Sequence, residues 1–512
     1  MIKKIREKYN LSILLIPLLV LVIVGAVLLT FPEQSAGFID GGLKAFIDNF
    51  SWYYLLIGFL FVAVLVVLAF SKYGKIKLGN TDKPRYPTIV WAAMIYTTTM
   101  AADLIYFAFS EWMNYYSLAE SLNGDAVDLA LTYPLFHFGP TPWAFYILPA
   151  VAYAYWMYTK GKNVNKMSDA MMINNKKVVS AIDLFTMISV LIAASVTLTI
   201  SIALTPVCFS ELLGIPMSYA VSITVLFGIA VIYTIAIFAK RGIENLVKVN
   251  IVLYSLLILV FLCTPNILFI IEGAITGFGN LIANFIPMSL NVDPARNFDG
   301  FVQDFTVFYW AYWIAWAVIV PVFLGKISEG RTIRGMIIGG MSAGVLGGFT
   351  SFFVLGNFGL ANQLNGKFDF IGMMNEGADV GYLIIEVFRT FPLFIPLAIM
   401  LLVGVTMMMF NATTLDVMIL LTSEASYKKD EDSINPSKKM KIFWCLLFFI
   451  LPVVFILNEN RLASLQTVLI LFGLPMSILL IRVIYVFIKS LLKSKPSELE
   501  PSDNLESASG KN

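Results

Sequence analysis

Twelve apolar runs of about 20 residues follow one another along this 512-residue chain, each long enough to cross the hydrocarbon core of a bilayer. They lie at roughly 12–32, 51–71, 88–116, 138–159, 181–210, 218–239, 249–275, 303–325, 335–357, 392–423, 442–458 and 465–488. Within lipid each backbone polar group must find its partner inside the chain, and a helix achieves this segment by segment. The expectation is therefore an all-α integral membrane protein of about 12 transmembrane helices. Charged residues make up only 13% of the chain, about half the share of a soluble domain. Lys3, Lys4, Arg6 and Lys8 precede the first run and no small-residue cleavage site follows it, so it reads as a retained helix.

The basic residues agree with this count. Alternating the loops by side places 29 of the 35 Lys and Arg on the side of the N-terminus and five on the other: Lys44, Arg296, Lys367, Arg389 and Arg461. The positive-inside rule then puts both termini in the cytoplasm of a multi-pass protein of the plasma or inner membrane. The outer segments 276–302 and 358–391 are partly apolar and are expected to hold helices lying along the surface. The membrane domain runs over 1–490, and 491–512 reads as a disordered tail. Spans 3–7 (about 88–275) and 8–12 (about 303–488) form two sets of five. An odd number per set inverts the second copy, as in many secondary transporters.

Several classes of chemistry are excluded by what is missing. His137 is the single histidine, and Cys208, Cys263 and Cys445 share no motif spacing, so no metal centre or disulfide framework is expected. No cofactor motif, enzyme signature, nucleic-acid-binding pattern or attached signalling domain is present, which disfavours both an enzyme and a non-transporting sensor. The informative residues lie inside the spans. Residues 305–316 read Phe-Thr-Val-Phe-Tyr-Trp-Ala-Tyr-Trp-Ile-Ala-Trp and hold three of the nine tryptophans. Aromatic faces attract a delocalised cation without a counter-charge. Asp103 stands mid-span, where an acidic residue costs roughly 2.5–3.5 kcal/mol on insertion scales. It reads as a counter-charge for a cationic substrate or as a proton carrier. The plainer alternative is a protonated carboxyl bonded to backbone. Asp416 is a second intramembrane carboxylate, and Asp183, near the start of span 5, reads as structural.

Three motifs carry a resemblance. The aromatic stretch resembles the span-8 signature of the betaine/carnitine/choline transporters, Trp-Thr-x-Phe-Tyr-Trp-Ala-Trp-Trp. Leu135–Tyr146 (Leu-Phe-His-Phe-Gly-Pro-Thr-Pro-Trp-Ala-Phe-Tyr) is similar to the family's Phe-His-Trp-Gly-x-x-Pro-Trp-Ala-x-Tyr. Gly325–Arg334 resembles its Ala-Arg-Ile-Ser-x-Gly-Arg-Thr-x-Arg loop. The resemblance implies a leucine-transporter-type fold, with two N-terminal helices ahead of a 5+5 inverted repeat, and a homotrimer. It also implies a secondary active transporter, symporter or antiporter, of a quaternary ammonium compound such as betaine, choline or carnitine, working by alternating access.

By the same resemblance, the substrate-binding positions are Trp313, Tyr312, Trp310, Trp316, Trp143, Tyr146, Phe138 and Asn114, with Asp103 added on its own chemistry. Phe138 and Tyr312 stand where Trp is usual, and Asn114 where carnitine-type members carry Tyr. Fewer Trp and one more charge point to a second reading, a proton-coupled carrier or exchanger of a less methylated cationic amine. Glu111 matches an acidic family position, and His137 reads as a helix-end hydrogen-bonding group. Besides Asp103, the candidates for a coupling Na+ or H+ are Asn411, Thr413 and Thr414. Sodium-dependent relatives use a Thr-Ser pair where Phe410 and Asn411 stand here. The plugging Arg and Met of sodium-independent members are replaced by Asn250 and Val320.

Overall fold

A computed structural model describes residues 7–99, 102–122, 124–298, 300–428, 435–457 and 462–494, which are helical almost throughout. Nine expected spans are continuous helices: Leu11–Thr30, Lys44–Phe70, Lys176–Leu213, Tyr219–Phe238, Gly242–Leu262, Ile333–Leu364, Ile395–Ala425, Lys438–Leu457 and Ile470–Leu492. The other three are each described as two helical segments. Of span 3 the described parts, Thr88–Thr99 and Ala102–Ser117, are both helical. Span 4 runs Pro140–Ala154 and ends in a π-helical turn, Tyr155–Thr159. Span 8 is Val302–Trp316 and Val320–Lys326, bent by 51°. Span 8, the first member of the second five-span set, is the divided one among the described residues.

Span 7 is shorter than its apolar run. It ends at Leu262 rather than near 275, because Pro265 cannot continue the hydrogen-bond ladder and the Thr264 hydroxyl donates to the Phe261 carbonyl at 2.9 Å. The apolar residues beyond form a separate helix, Ile267–Leu290, in place of the surface helix expected over 276–302. Its Leu268, Ile271, Ile275, Ile282 and Ile286 lie exposed along one stripe, while Gly273 and Gly277 are buried. Were this helix a crossing, Lys326, Arg331 and Arg334 would move to the outer side and the charge alternation would fail. The segment 358–391 also departs from expectation. Val380–Arg389 buries Leu383, Ile384, Ile385, Val387 and Phe388 completely against spans 3, 5 and 10, so it is sunk into the bundle rather than laid on its surface. Of the expected tail, residues from 495 onward lie outside the described residues, as do Lys3, Lys4, Arg6 and Arg461.

Loop contacts sort into two sets that match the predicted sides. On one, Lys77 bridges Thr332, Lys428 N donates to the Lys8 carbonyl at 3.1 Å, and Lys326 pairs with Glu424 at 2.9 Å. The Arg331 guanidinium lies 3.9 Å from the Trp91 ring centroid on the same side. On the other, Arg296 pairs with Asp48 at 3.6 Å and Arg389 with Glu211 at 2.5 Å. The architecture is an all-α membrane bundle in which span 10 lies along span 5 and span 8 lies against spans 4 and 12.

Candidate functional site

Span 8 begins with a π-helical turn, Val302–Val307, continues as Phe308–Trp316 and breaks at Ala317–Ile319 before Pro321, which starts the next helix. Proline suits a first helical turn because its missing N–H would be unpaired there in any case. The break aims successive aromatic residues at different neighbours. Trp313 is partly exposed within the bundle and donates its indole N–H to the His137 carbonyl at 2.9 Å, which fixes the ring. Its ring meets Phe138 at 5.3 Å (84°), Tyr312 at 5.2 Å (84°) and Tyr146 at 6.1 Å (80°). Trp143 stands 6.0 Å from Tyr146, edge to face. These five rings from spans 4 and 8 therefore form one box, edge-to-face throughout, the geometry ring quadrupoles prefer.

Three other expected site residues sit elsewhere. Trp310 is buried against Phe136 (5.2 Å), Phe145 (6.4 Å) and the helix of span 2 at Gly58, so it is packing behind the box. Asn114 turns to Glu111, donating to Oε1 at 3.4 Å. Trp316 is buried one turn beyond Tyr312, and its indole N–H has no partner among the described residues.

The two departures noted in the sequence prove to be one unit. The Tyr312 hydroxyl donates to Asp103 Oδ2 at 2.5 Å, and the Leu104 N–H donates to Oδ1 at 3.1 Å. Asp103 belongs to the helix Ala102–Ser117, and an N–H of that helix, Leu104, meets its carboxylate as the Tyr312 hydroxyl does. Those two donors explain how a carboxylate is accommodated mid-bundle. Among the described residues no Lys or Arg pairs with it, so its charge is met by dipoles alone. Thr197 of span 5 lies beside the pair, its hydroxyl turned toward both Asp103 and Tyr312. Sequence reasoning missed Thr197, because it is one of several Ser and Thr in a uniformly apolar run.

The coupling candidates also separate. Thr413 donates to the Phe410 carbonyl at 2.8 Å and accepts from Asn250 Nδ2 at 2.9 Å. Asn411 Oδ1 and Thr414 Oγ1, one turn apart in the interior, have no hydrogen-bond partner among the described residues. Hard cations are held by about six oxygens, so these two side chains alone do not complete a sodium site. Asp183 is pinned by Lys166 at 2.8 Å and Ser168 at 2.5 Å, a structural placement. His137 is the last residue of the helix Ala126–His137, and both ring nitrogens engage side chains, Tyr115 at 2.7 Å and Thr306 at 2.9 Å. The spacing of Glu111 and Tyr115, four residues apart on one helix, was the available signal for that network.

The chain is 29% identical to a glycine betaine transporter of Bacillus subtilis, covering 90% of this chain and 91% of the relative. It is 28% identical to a carnitine transporter of Acinetobacter baumannii, over 86% of this chain and 81% of the relative. With a high-affinity choline transport protein of Escherichia coli the identity is 27%, over 90% and 69%. The profile of the BCCT, betaine/carnitine/choline family transporters, matches residues 12–496. With the aromatic box where that family's motifs place it and the profile matched over nearly the whole chain, the chain belongs to the betaine/carnitine/choline transporter family.

Proposed function

We propose that this protein is a secondary active transporter that moves a quaternary ammonium compound by alternating access, and that it favours a net cation such as choline over a zwitterion such as betaine. The observation that carries this preference is Asp103, a buried carboxylate without a basic partner, joined through Tyr312 to the aromatic box. A cation neutralises that carboxylate on binding. A zwitterion brings a second negative charge into the same low-dielectric space, where like charges repel strongly. Cation–π contacts supply about 1–2 kcal/mol each when desolvated, so replacing Trp by Phe138 and Tyr312 lowers aromatic affinity and raises the weight of Asp103. Asp103 Oδ2 already accepts one O–H, and this supports a second reading, a less methylated amine whose N–H displaces the tyrosine hydroxyl.

The remaining parts of this reading are a plasma-membrane location, both termini in the cytoplasm and a homotrimeric assembly, supported by the charge alternation and by the family resemblance. Asn411 and Thr414 are the residues that would contribute to a coupling Na+. A competition panel of choline, glycine betaine, carnitine and less methylated amines, read by tryptophan fluorescence with and without Na+, tests the assignment. Choline is expected to compete at least tenfold better than betaine. Absence of any fluorescence or uptake response to every amine would reject the substrate class.

A further inference from the structure

The transport reading leaves a second buried network unused. Glu111, 2% exposed, accepts the Tyr115 hydroxyl on Oε2 at 2.6 Å. The Tyr115 oxygen also lies 2.7 Å from His137 Nδ1, and His137 Nε2 lies 2.9 Å from Thr306 Oγ1. Thr306 in turn lines a cavity of about 340 Å³ on the side of Asp48 and Arg296, together with Asp128, Thr132, Tyr133, Asn284 and Phe301. The Thr132 hydroxyl in that wall is buried and has no partner among the described residues. Four side chains from span 3, the helix Ala126–His137 and span 8 thus connect a cavity to a carboxyl about 12 Å along the helix from Asp103.

The chain has two self-consistent settings, because a tyrosine hydroxyl and a neutral imidazole each carry one transferable proton. With Glu111 ionised, Thr306 donates to Nε2, Nδ1–H donates to the Tyr115 oxygen, and Tyr115 donates to Glu111. When a proton from cavity water joins the Thr306 oxygen, the Thr306 proton passes to Nε2. The Nδ1 proton then passes to Tyr115, and the Tyr115 proton passes to Glu111. In the final setting every bond runs the other way: Glu111 donates to Tyr115, Tyr115 to Nδ1, and Nε2–H to Thr306. The net change is one proton gained by Glu111, with the imidazole neutral at both ends and changed only in tautomer. The titratable groups facing Glu111 are Tyr106 and Tyr115 of its own helix and Tyr309 of span 8, with Asp379 beyond Tyr106. Those facing His137 are Tyr115, Tyr133 and Tyr309, the last stacked on it at 4.7 Å.

We propose that Thr306, His137, Tyr115 and Glu111 form a proton wire from this cavity to Glu111, and that the proton it delivers is the coupling ion for amine transport. The proposal rests on the transporter reading. Because the wire joins span 3 to span 8, any rocking of the two five-span sets must make or break it, which ties proton access to conformation.

The test uses the full-length protein in proteoliposomes with the membrane potential clamped, a trapped pH-sensitive dye, and labelled choline. Choline entry by the wild type is expected to change lumenal pH. Tyr115→Phe, which keeps the ring and removes the hydroxyl, is expected to lower proton flux at least tenfold relative to choline counterflow. Thr306→Val, at the other end of the wire, is expected to do the same, and Glu111→Gln to abolish proton flux. Choline transport by the wild type without a pH change overturns the proposal, as does a wild-type proton-to-choline ratio in both Tyr115→Phe and Thr306→Val. Failure of the wild type to exchange either choline or glycine betaine overturns the transport reading, and the wire with it.

Discussion

Tyr312 occupies a position where the family ordinarily places Trp, and its hydroxyl reaches the one buried carboxylate beside the aromatic box. A hydrogen bond to a charged group contributes about 1.5–3 kcal/mol. Tyr312→Phe is therefore expected to destabilise the protein by about 1–3 kcal/mol, read as a lower unfolding midpoint in detergent, and to leave Asp103 more open to an amine N–H. An unchanged midpoint and unchanged amine selectivity would show that the bond carries no weight. The two tryptophans three residues apart are expected to differ. Trp313→Ala removes a box wall and loses about 1–2 kcal/mol of cation–π attraction, roughly tenfold in substrate affinity. Trp310→Phe alters packing behind the wall and is expected to lower stability more than affinity. Equal affinity losses in a fluorescence titration would contradict this division. Both tryptophans, Asp103 and Tyr312 were legible in the sequence as chemistry. That Tyr312 and Asp103 form a pair was not, because they are separated by 209 positions and no periodicity links residues on different spans.

At the scale of elements, the box depends on how closely span 9 approaches span 4. Trp143 is seated against Gly344, where an added Cβ would overlap its ring. Gly344→Ala must displace Trp143 or push span 9 outward, and overpacking of this kind costs about 1–3 kcal/mol. The expected result is weaker amine binding alongside a lowered midpoint. Wild-type binding would mean that Trp143 is not held by this contact. Long continuous helices were read well from their apolar runs. The misreadings fell where apolar residues continue through a break. Pro265 ends span 7 about a dozen residues before hydrophobicity fades, and Ile267–Leu290 inherits the remainder. Val380–Arg389 looked amphipathic enough for a surface, yet its apolar face is covered by spans 3, 5 and 10. Hydropathy measures how much a segment avoids water and is silent on whether lipid or protein replaces it.

For the whole molecule, the Lys and Arg alternation and the two groups of loop contacts describe one topology from independent evidence. It carries a labelling prediction that uses a native thiol. Cys263 is exposed at the end of span 7, whereas Cys208 and Cys445 are buried. A membrane-impermeant maleimide added to intact cells is expected to label the wild type and to leave Cys263→Ser unlabelled. In that background, Ala295→Cys, beyond Ile267–Leu290, is expected to restore labelling from outside. Protection of Ala295→Cys until the membrane is opened would mean that Ile267–Leu290 crosses the bilayer.

The central claim, that Asp103 gives this aromatic box its preference for a net cation, is tested most directly by counterflow of labelled choline in proteoliposomes. Unlabelled choline and glycine betaine compete in turn, against the wild type and Asp103→Asn. The wild type is expected to be inhibited by choline at concentrations at least tenfold lower than by betaine. In Asp103→Asn, which keeps the side-chain shape and removes the charge, that difference is expected to close, through weaker choline binding and stronger betaine binding. If Asp103→Asn keeps the wild-type order and spacing of the two inhibitors, the carboxylate does not select the substrate, and the account of this site is wrong.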